Sequence, residues 1–313
     1  MPEVITHVAV GIIVNSNNDI LISKRSSDVH QANRWEFPGG KIELNEEPSH
    51  ALTRELKEEL GIDVHRYQFL KKIKYDYGDK LVCLHTFLVD GFSGKPTGLE
   101  GQPVQWVTKK KLIEFKFPDA NLPILNILRL DDVIQITGAF NSRDELMDKS
   151  KQCIARGIKI IHFRAHDLDD DSYNNHAIDL LDVCRKRGVL LILNRTVSAL
   201  DCVDADGIQL SRHEMRKYSE RPCAQDKLLS VSCHNEEELN YAEMLDADYC
   251  FLSPVKQALS HDAGEALGFD IFQSLLIDRC VPVYALGGMS LSDLETVKLK
   301  KGRGIAVISE NWV

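Results

Sequence analysis

Residues 40–62 read GKIELNEEPSHALTRELKEELGI. Pro48 suits the first position of a helix, and Gly61 suits the residue just past its last turn. The spacing predicts a helix between them. On that helix Glu55, Glu58 and Glu59 stand at i, i+3 and i+4, so their carboxylates share one face. Three carboxylates that close repel one another unless a cation sits among them. Oxygen donors favour Mg²⁺ or Mn²⁺, and Mg²⁺ usually also binds substrate phosphates. The alternative is a solvated acidic helix face, the common meaning of a Glu-rich helix. The glycine-rich approach, Arg54 and Gly61 weigh against it.

The same stretch meets the spacing of the Nudix box, G-x5-E-x7-R-E-U-x-E-E-x-G-U with U apolar, at all nine specified positions. Its flanks narrow the match. Val10-Gly11-Ile12-Ile13, Lys24-Arg25, Asp28-Val-His30, Trp35-Glu36-Phe37-Pro38-Gly39-Gly40-Lys41-Ile42-Glu43, Glu100-Gly101-Gln102-Pro103 and Pro118-Asp119-Ala120-Asn121-Leu-Pro123 resemble the MutT branch of the Nudix family. Those enzymes are 8-oxo-dGTP diphosphatases, which sanitise nucleotide pools and so serve DNA replication and repair. The resemblance runs from about Val8 to Ile127 and implies an α/β/α sandwich with a mixed sheet.

The resemblance also implies roles. Glu55, Glu58, Glu59, Glu100 and the Gly39 carbonyl would hold a divalent ion, Mg²⁺ or Mn²⁺. Either Glu55 or Glu100 would be the general base. Arg54 would orient the glutamates by bidentate bonding. Arg25, His30, Phe37, Asp119 and Asn121 would contact the nucleotide. An Asn offers a donor and an acceptor to a purine edge, Phe37 an apolar face, and Arg25 a donor that also stacks. In isolation Asn121 would read as a turn residue and Phe37 as core. Lys41 and Lys80 are candidate phosphate contacts. The implied substrate is a nucleoside triphosphate, cleaved to monophosphate and pyrophosphate.

At 313 residues the chain exceeds one typical domain. Residues 1–130 are expected to form the first domain and 131–313 the second, with no Gly/Ser-rich or Pro-rich linker. From residue 133 short β-branched runs alternate with amphipathic ones. Strands are expected at Val133–Thr137, Lys159–Phe163, Leu190–Leu193, Gly207–Leu210, Leu228–Ser232, Tyr249–Leu252, Pro282–Ala285 and Ile305–Ile308. Helices are expected at Ser142–Arg156, Ser172–Arg187, Glu236–Leu245, Phe269–Asp278 and Ser290–Lys300, with shorter pieces after Asn194 and Leu210. Eight strands alternating with helices imply a closed, compact (βα)8 TIM barrel, with an open doubly wound sheet as the alternative.

Ile136-Thr137-Gly138, Asp206-Gly207-Ile208-Gln209-Leu210, Ser230-Val-Ser232-Cys-His234-Asn235-Glu236 and Ala285-Leu-Gly287-Gly288-Met289 resemble thiamine-phosphate synthase and its relative TenI. The synthase's chemical positions depart from that pattern. Gln-x-Arg-x-Lys becomes His162-Phe-Arg164-Ala-His166. The Asn-Asp pair, whose aspartate binds Mg²⁺, becomes Asn194-Arg195, and the second metal aspartate falls at Glu214. The threonine-rich loop becomes Val255 to His261, and the tautomerase histidine falls at Pro254. A cation in place of a metal carboxylate argues against synthesis. An anion pocket from Arg164, Arg195 and the Gly287-Gly288 backbone is expected to survive and take a phosphorylated ligand, with tuning of the first domain as an alternative role. The alternative for Gly287-Gly288 is a tight turn. His162, His166, His234 and His261 are candidates to line the barrel mouth.

The formal charge of −9 is unevenly shared. Residues 1–130 carry 17 basic and 17 acidic side chains, the remainder 21 and 30. That disfavours a nucleic acid polymer as partner. Eight scattered cysteines without C-x-x-C predict neither a disulfide framework nor a zinc site, and fit a reducing cytoplasm. The histidines show no metal-binding spacing. No apolar run approaches the length of a membrane span, and the N-terminus does not read as a signal peptide.

Overall fold

A computed structural model describes residues 5–26, 31–257, 265–277 and 279–312. The chain divides into two compact units, the first ending at Arg129 and the second beginning at Leu130.

The first unit runs β1 (Ile5–Ile13), β2 (Asp19–Lys24), β3 (Trp35–Glu36), β4 (Gly39–Lys41), α1 (Pro48–Leu60), β5 (Asp63–Asp76), β6 (Leu81–Ser93), β7 (Val104–Thr108) and α2 (Leu122–Arg129). One sheet has the order β4-β1-β6-β5 and is mixed, because β1 pairs parallel with β6 while β4 and β5 pair antiparallel. A second, antiparallel sheet has the order β3-β2-β7. Period-two alternation along β1 sorts its side chains onto two faces. Ala9 and Ile13 pack with Leu52, Leu56 and Leu60 of α1. Val10 and Ile12 pack with Phe37, Ala120 and Ile124. The sheet is thus apolar on both sides, which an α/β/α sandwich requires. Helix α1 starts at Pro48 and ends at Gly61, whose φ of 71° lets its N–H reach the Lys57 carbonyl at 3.0 Å.

The second unit is a closed barrel of eight parallel strands: β8 (Val133–Ile136), β9 (Ile160–Phe163), β10 (Leu190–Leu193), β11 (Gly207–Leu210), β12 (Leu228–Cys233), β13 (Tyr249–Leu252), β14 (Val283–Ala285) and β15 (Gly304–Val307). Strand β8 pairs with both β9 and β15 and so closes the ring. Between the strands lie α3 (Arg143–Ala155), α4 (Asp170–Arg185), α5 (Ala199–Cys202), α6 (Arg212–Met215), α7 (Glu236–Met244), α8 (Gly268–Leu275) and α9 (Leu294–Leu299). All eight expected strands are present, and the open sheet is excluded. Short strands and the four-residue α5 and α6 fit the barrel into few residues. The last expected helix begins instead as a 3-10 turn, Leu291–Asp293, closed by a Ser290/Asp293 capping box.

Alternation again separates two cores. Ile134, Ile160, Ile192, Tyr249, Phe251 and Tyr284 cluster together in one. Ile161, Phe163, Leu191 and Leu193 pack with helix residues such as Leu146, Leu180 and Cys184 in the other. Leu130 belongs with the barrel, one residue earlier than the expected boundary. It is buried in the first of these clusters, and its carbonyl accepts from Arg303 at 2.7 Å.

His162 is not at the barrel mouth. It is fully buried, 2.6 Å from the Tyr249 hydroxyl, because its place in β9 turns it inward with Ile160. Burial drives its pKa down from 6.5 to about 3, so the folded ring stays neutral. The unfolded chain takes up a proton there below pH 6.5. The stability it contributes is therefore complete above pH 6.5 and is lost as pH falls toward 3. His162→Gln should narrow the gap in barrel unfolding free energy between pH 7 and pH 4.5 by about 2–3 kcal/mol. Urea denaturation at the two pH values measures this. An unchanged gap in a folded variant would remove the ring from acid sensitivity.

Candidate functional site

Arg54, in the middle of α1, gathers the site. Its guanidinium grips Glu46 through Nε to Oε1 at 2.9 Å and Nη2 to Oε2 at 2.8 Å. Nη1 donates to Glu55 at 2.7 Å and approaches Glu58 at 3.4 Å, while Nη2 also donates to the Lys41 carbonyl at 3.0 Å. The bond from Arg54, then the Glu43 N–H, hold the Glu46 carboxyl down at about 2. Arg54 is committed to these protein groups, as its planar fork allows.

Glu59 faces the opposite situation. It accepts the Gly39 N–H at 3.1 Å. Burial, and then the carboxylates of Glu36, Glu100 and Glu55, push its pKa up to about 8. Burial also raises Glu36, against the pull of its ion pair with Arg25. Carboxylates outnumber nearby cations here, and their donors are all hard oxygens.

The glycine pair makes room for them. Gly39 has φ 144°, and a Cβ there would lie 2.0 Å from the Ala9 carbonyl oxygen. A Cβ on Gly40 would lie 2.1 Å from the Glu55 carboxylate. The first clash is with backbone and the second with the end of a side chain.

A cleft of about 440 Å³ brings together Gly39, Gly40, Lys41, Glu59, Lys80 and Glu100 with Arg25, Phe37, Tyr77, Pro118 and Asn121. Phe37 stacks on Phe117 with ring centroids 5.2 Å apart. Asn121 ends the 3-10 turn Asp119–Asn121 just before α2, and its N–H is held by the Pro118 carbonyl at 2.9 Å. The residue is 8% exposed, and its Oδ1 is buried without a hydrogen-bond partner. Asp119 is drawn elsewhere, to Arg34 at 3.1 Å, and does not line the cleft. Glu55 and Glu58 are gathered by Arg54. His30 lies outside the described residues.

In the barrel, Arg195 lies 4.4 Å over the Tyr173 ring and donates to the carbonyls of Ala165, at 3.2 Å, and Leu168. It anchors that loop. Arg164 is exposed, with its Nε 3.1 Å from His166. Gly287 (φ 90°) and Gly288 (φ 64°) lie against residues 254–257, where added Cβ atoms would meet Pro254 at 2.7 Å and the Gln257 carbonyl at 2.7 Å. Glu214 is paired with Lys217 at 2.6 Å, and His234 with Glu238 at 2.8 Å. His261 lies outside the described residues.

The NUDIX domain model matches residues 5–127, and the model described as thiamine monophosphate synthase matches residues 133–310. An 8-oxo-dGTP diphosphatase of Escherichia coli K12 is 44% identical over 122 residues, 39% of this chain and 95% of the relative. A thiamine-phosphate synthase of Geobacillus kaustophilus is 31% identical over 179 residues, 56% of this chain and 81% of the relative. The chain belongs to both families, Nudix first and thiamine monophosphate synthase second. The E. coli CTP pyrophosphohydrolase is also similar to the Nudix half, 31% identical over 116 residues, 37% of this chain and 86% of that enzyme. The first domain is thus a Nudix hydrolase.

Three residues around the Nudix cleft were not singled out by sequence reasoning. The Tyr77 hydroxyl accepts the Ala120 N–H at 3.2 Å beside Asn121. Gln102 donates to the Glu59 carbonyl at 3.1 Å and accepts the Glu100 N–H at 2.9 Å, tying the Glu100 loop to the end of α1. Glu36 holds Arg25. Glu36 and Gln102 left a signal, inside the runs that carry the family resemblance, and Tyr77 left none. Among the described residues, no helix is long and apolar enough to cross a membrane.

Proposed function

We propose that the Nudix domain is a divalent-cation-dependent nucleoside triphosphate diphosphatase that converts 8-oxo-dGTP to 8-oxo-dGMP and pyrophosphate. The buried, unpartnered Oδ1 of Asn121, in one cleft with Phe37 and Glu59, carries this reading. A guanine oxidised at C8 carries a proton on N7, where guanine has a lone pair. An acceptor oxygen therefore favours the oxidised base.

The residues fit a hard cation. Glu55, Glu58, Glu59, Glu100 and the Gly39 carbonyl offer only oxygen, and the Glu59 carboxyl is raised first by burial and then by the neighbouring carboxylates. Those five residues would hold Mg²⁺ or Mn²⁺. When bound, such an ion neutralises polyphosphate charge and lowers the pKa of water. Arg54 positions Glu55 and Glu58. Glu55 or Glu100 takes the proton from the attacking water as a P–O bond forms and the bond to pyrophosphate breaks. Lys41 and Lys80 bind phosphate oxygens. Phe37 faces the base, and Arg25, steadied by Glu36, donates to it.

Purified chain with Mg²⁺ should hydrolyse 8-oxo-dGTP in preference to dGTP, and chelation should stop turnover. A panel adding CTP and thiamine diphosphate tests the second reading, a pyrophosphatase for another nucleotide or thiamine-pathway diphosphate, which the CTP pyrophosphohydrolase relative favours. Inactivity of a folded sample on every nucleotide would overturn both. Gly40→Ala should displace the Glu55 carboxylate without disturbing backbone. Turnover should fall at least about tenfold while stability changes by less than about 1 kcal/mol. Parallel kinetics and thermal denaturation check this; loss of both would show that the clash is not absorbed by the side chain.

We further propose that the barrel binds a phosphorylated anion without synthase activity, sensing a thiamine precursor. Arg195 stands at the position of the family's metal aspartate, and exposed Arg164 is its free-facing cation. Calorimetry with thiamine phosphate and inorganic phosphate tests this; no heat at millimolar ligand would leave the barrel as scaffold. Eight free cysteines and a free-nucleotide substrate fit a reducing cytoplasm.

A further inference from the structure

His7, Cys83 and His85 converge on the α1-facing side of the main sheet of the Nudix domain. His7 of β1 pairs directly with Cys83 of β6, and His85 follows two residues on, so all three point to one face. The Nδ1 of His7 is 3.0 Å from the Nε2 of His85, and the Cys83 Sγ is 3.8 Å from that same Nε2. One ligand atom from each residue lies within 4.8 Å of the others. A tetrahedral ion with bonds of about 2.0–2.1 Å to nitrogen and about 2.3 Å to sulfur needs N–N and N–S separations of roughly 3.3 and 3.6 Å. The two separations at His85 lie a few tenths of an ångström from these values, and the His7 nitrogen and Cys83 sulfur lie within 4.8 Å.

We propose that His7, Cys83 and His85 form a second metal site, taking Zn²⁺ or a similar borderline transition ion, with the fourth position left to solvent. Two imidazoles and a thiolate are the wrong donors for Mg²⁺ and suit zinc. The site therefore does not compete for the ion of the carboxylate cluster. Its surroundings agree. His7 is exposed and, with His85, opens onto a groove shared with Glu43 and Glu46, which gives an ion a way in. Burial, then Lys72, then His7, push His85 down to about 4, so its ring is neutral and keeps a lone pair for a metal. Burial raises the Cys83 thiol despite Lys72 and Lys74 on β5, so an ion must displace the thiol proton as it binds. An ion there would tie the two central strands, β1 and β6, near the start of both, where the Ile42 N–H is bonded to the His7 carbonyl at 3.0 Å.

The full chain, stripped with chelator and returned to excess Mg²⁺, is titrated with Co²⁺ and then, by calorimetry, with Zn²⁺. One equivalent of Co²⁺ should give a near-ultraviolet thiolate-to-metal charge-transfer band, which carboxylates cannot give. Cys83→Ser should abolish the band and leave Mg²⁺-supported hydrolysis intact. His7→Ala, at an exposed position, should weaken Zn²⁺ binding at least about tenfold in a variant whose circular dichroism matches the wild type. No band in the wild type, a band that survives in folded Cys83→Ser, or unchanged Zn²⁺ affinity in His7→Ala would overturn the site. The two histidines would then be an ordinary hydrogen-bonded pair.

Discussion

Glu58→Gln should lower kcat for 8-oxo-dGTP by a factor on the order of 10²–10³, about 3–4 kcal/mol of barrier. The substitution keeps shape and removes one negative charge from the cation-binding face of α1. Glu58 is the least encumbered of the three helix carboxylates, with a side chain 58% exposed and only the 3.4 Å approach of Arg54. Its loss should therefore cost little stability, and the deficit should appear in turnover. Steady-state kinetics at saturating Mg²⁺, beside a thermal denaturation curve, separate the two. A variant within threefold of wild-type kcat would remove Glu58 from the ion's ligands.

Asn121→Ala should move activity and stability in different directions. The Oδ1 of Asn121 is buried and unpartnered, so the free protein carries a desolvated acceptor that only a ligand satisfies. Truncation removes that cost, and stability should hold or rise slightly. Substrate recognition should suffer. Loss of a hydrogen bond in a desolvated cleft is worth about 2–3 kcal/mol, so kcat/KM for 8-oxo-dGTP should fall by roughly 30- to 150-fold. For dGTP, whose N7 has no proton to give, the fall should be several-fold at most. Equal losses on the two substrates would show that Asn121 shapes the cleft without reading the base.

Sequence spacing revealed what is local. Helix α1, its Pro48 start and its Gly61 end follow from contiguous residues, as do the barrel strands. The apolar runs of Ile160–Phe163 and Leu190–Leu193 mark buried strands without help from elsewhere. What escaped is what the fold brings together across distance. The bonds from Tyr77 to Ala120 and from Gln102 to Glu59 each span 43 residues. Periodicity carries no information at that range. The diversion of Asp119 to Arg34 spans 85 residues and was hidden for the same reason. His162 was misplaced because its type suggested a mouth, whereas its odd or even place along β9 decides its direction. Cys83 read as unremarkable until β1 set His7 beside it.

The closure of the barrel by β8 and β15 has a consequence for synthesis. Ile305 pairs with Val133, so the ring stays open until β15 has left the ribosome. Every strand of the Nudix domain precedes residue 109, and its last helix ends at Arg129. The hydrolase can finish folding while the barrel is still an unfinished curl with two bare edges. A frameshift that removes β15 would leave the nucleotide cleft whole but expose β14 and β8 as templates for pairing with other chains. Such a truncation would be recognised first by its insolubility, not by any missing catalytic residue.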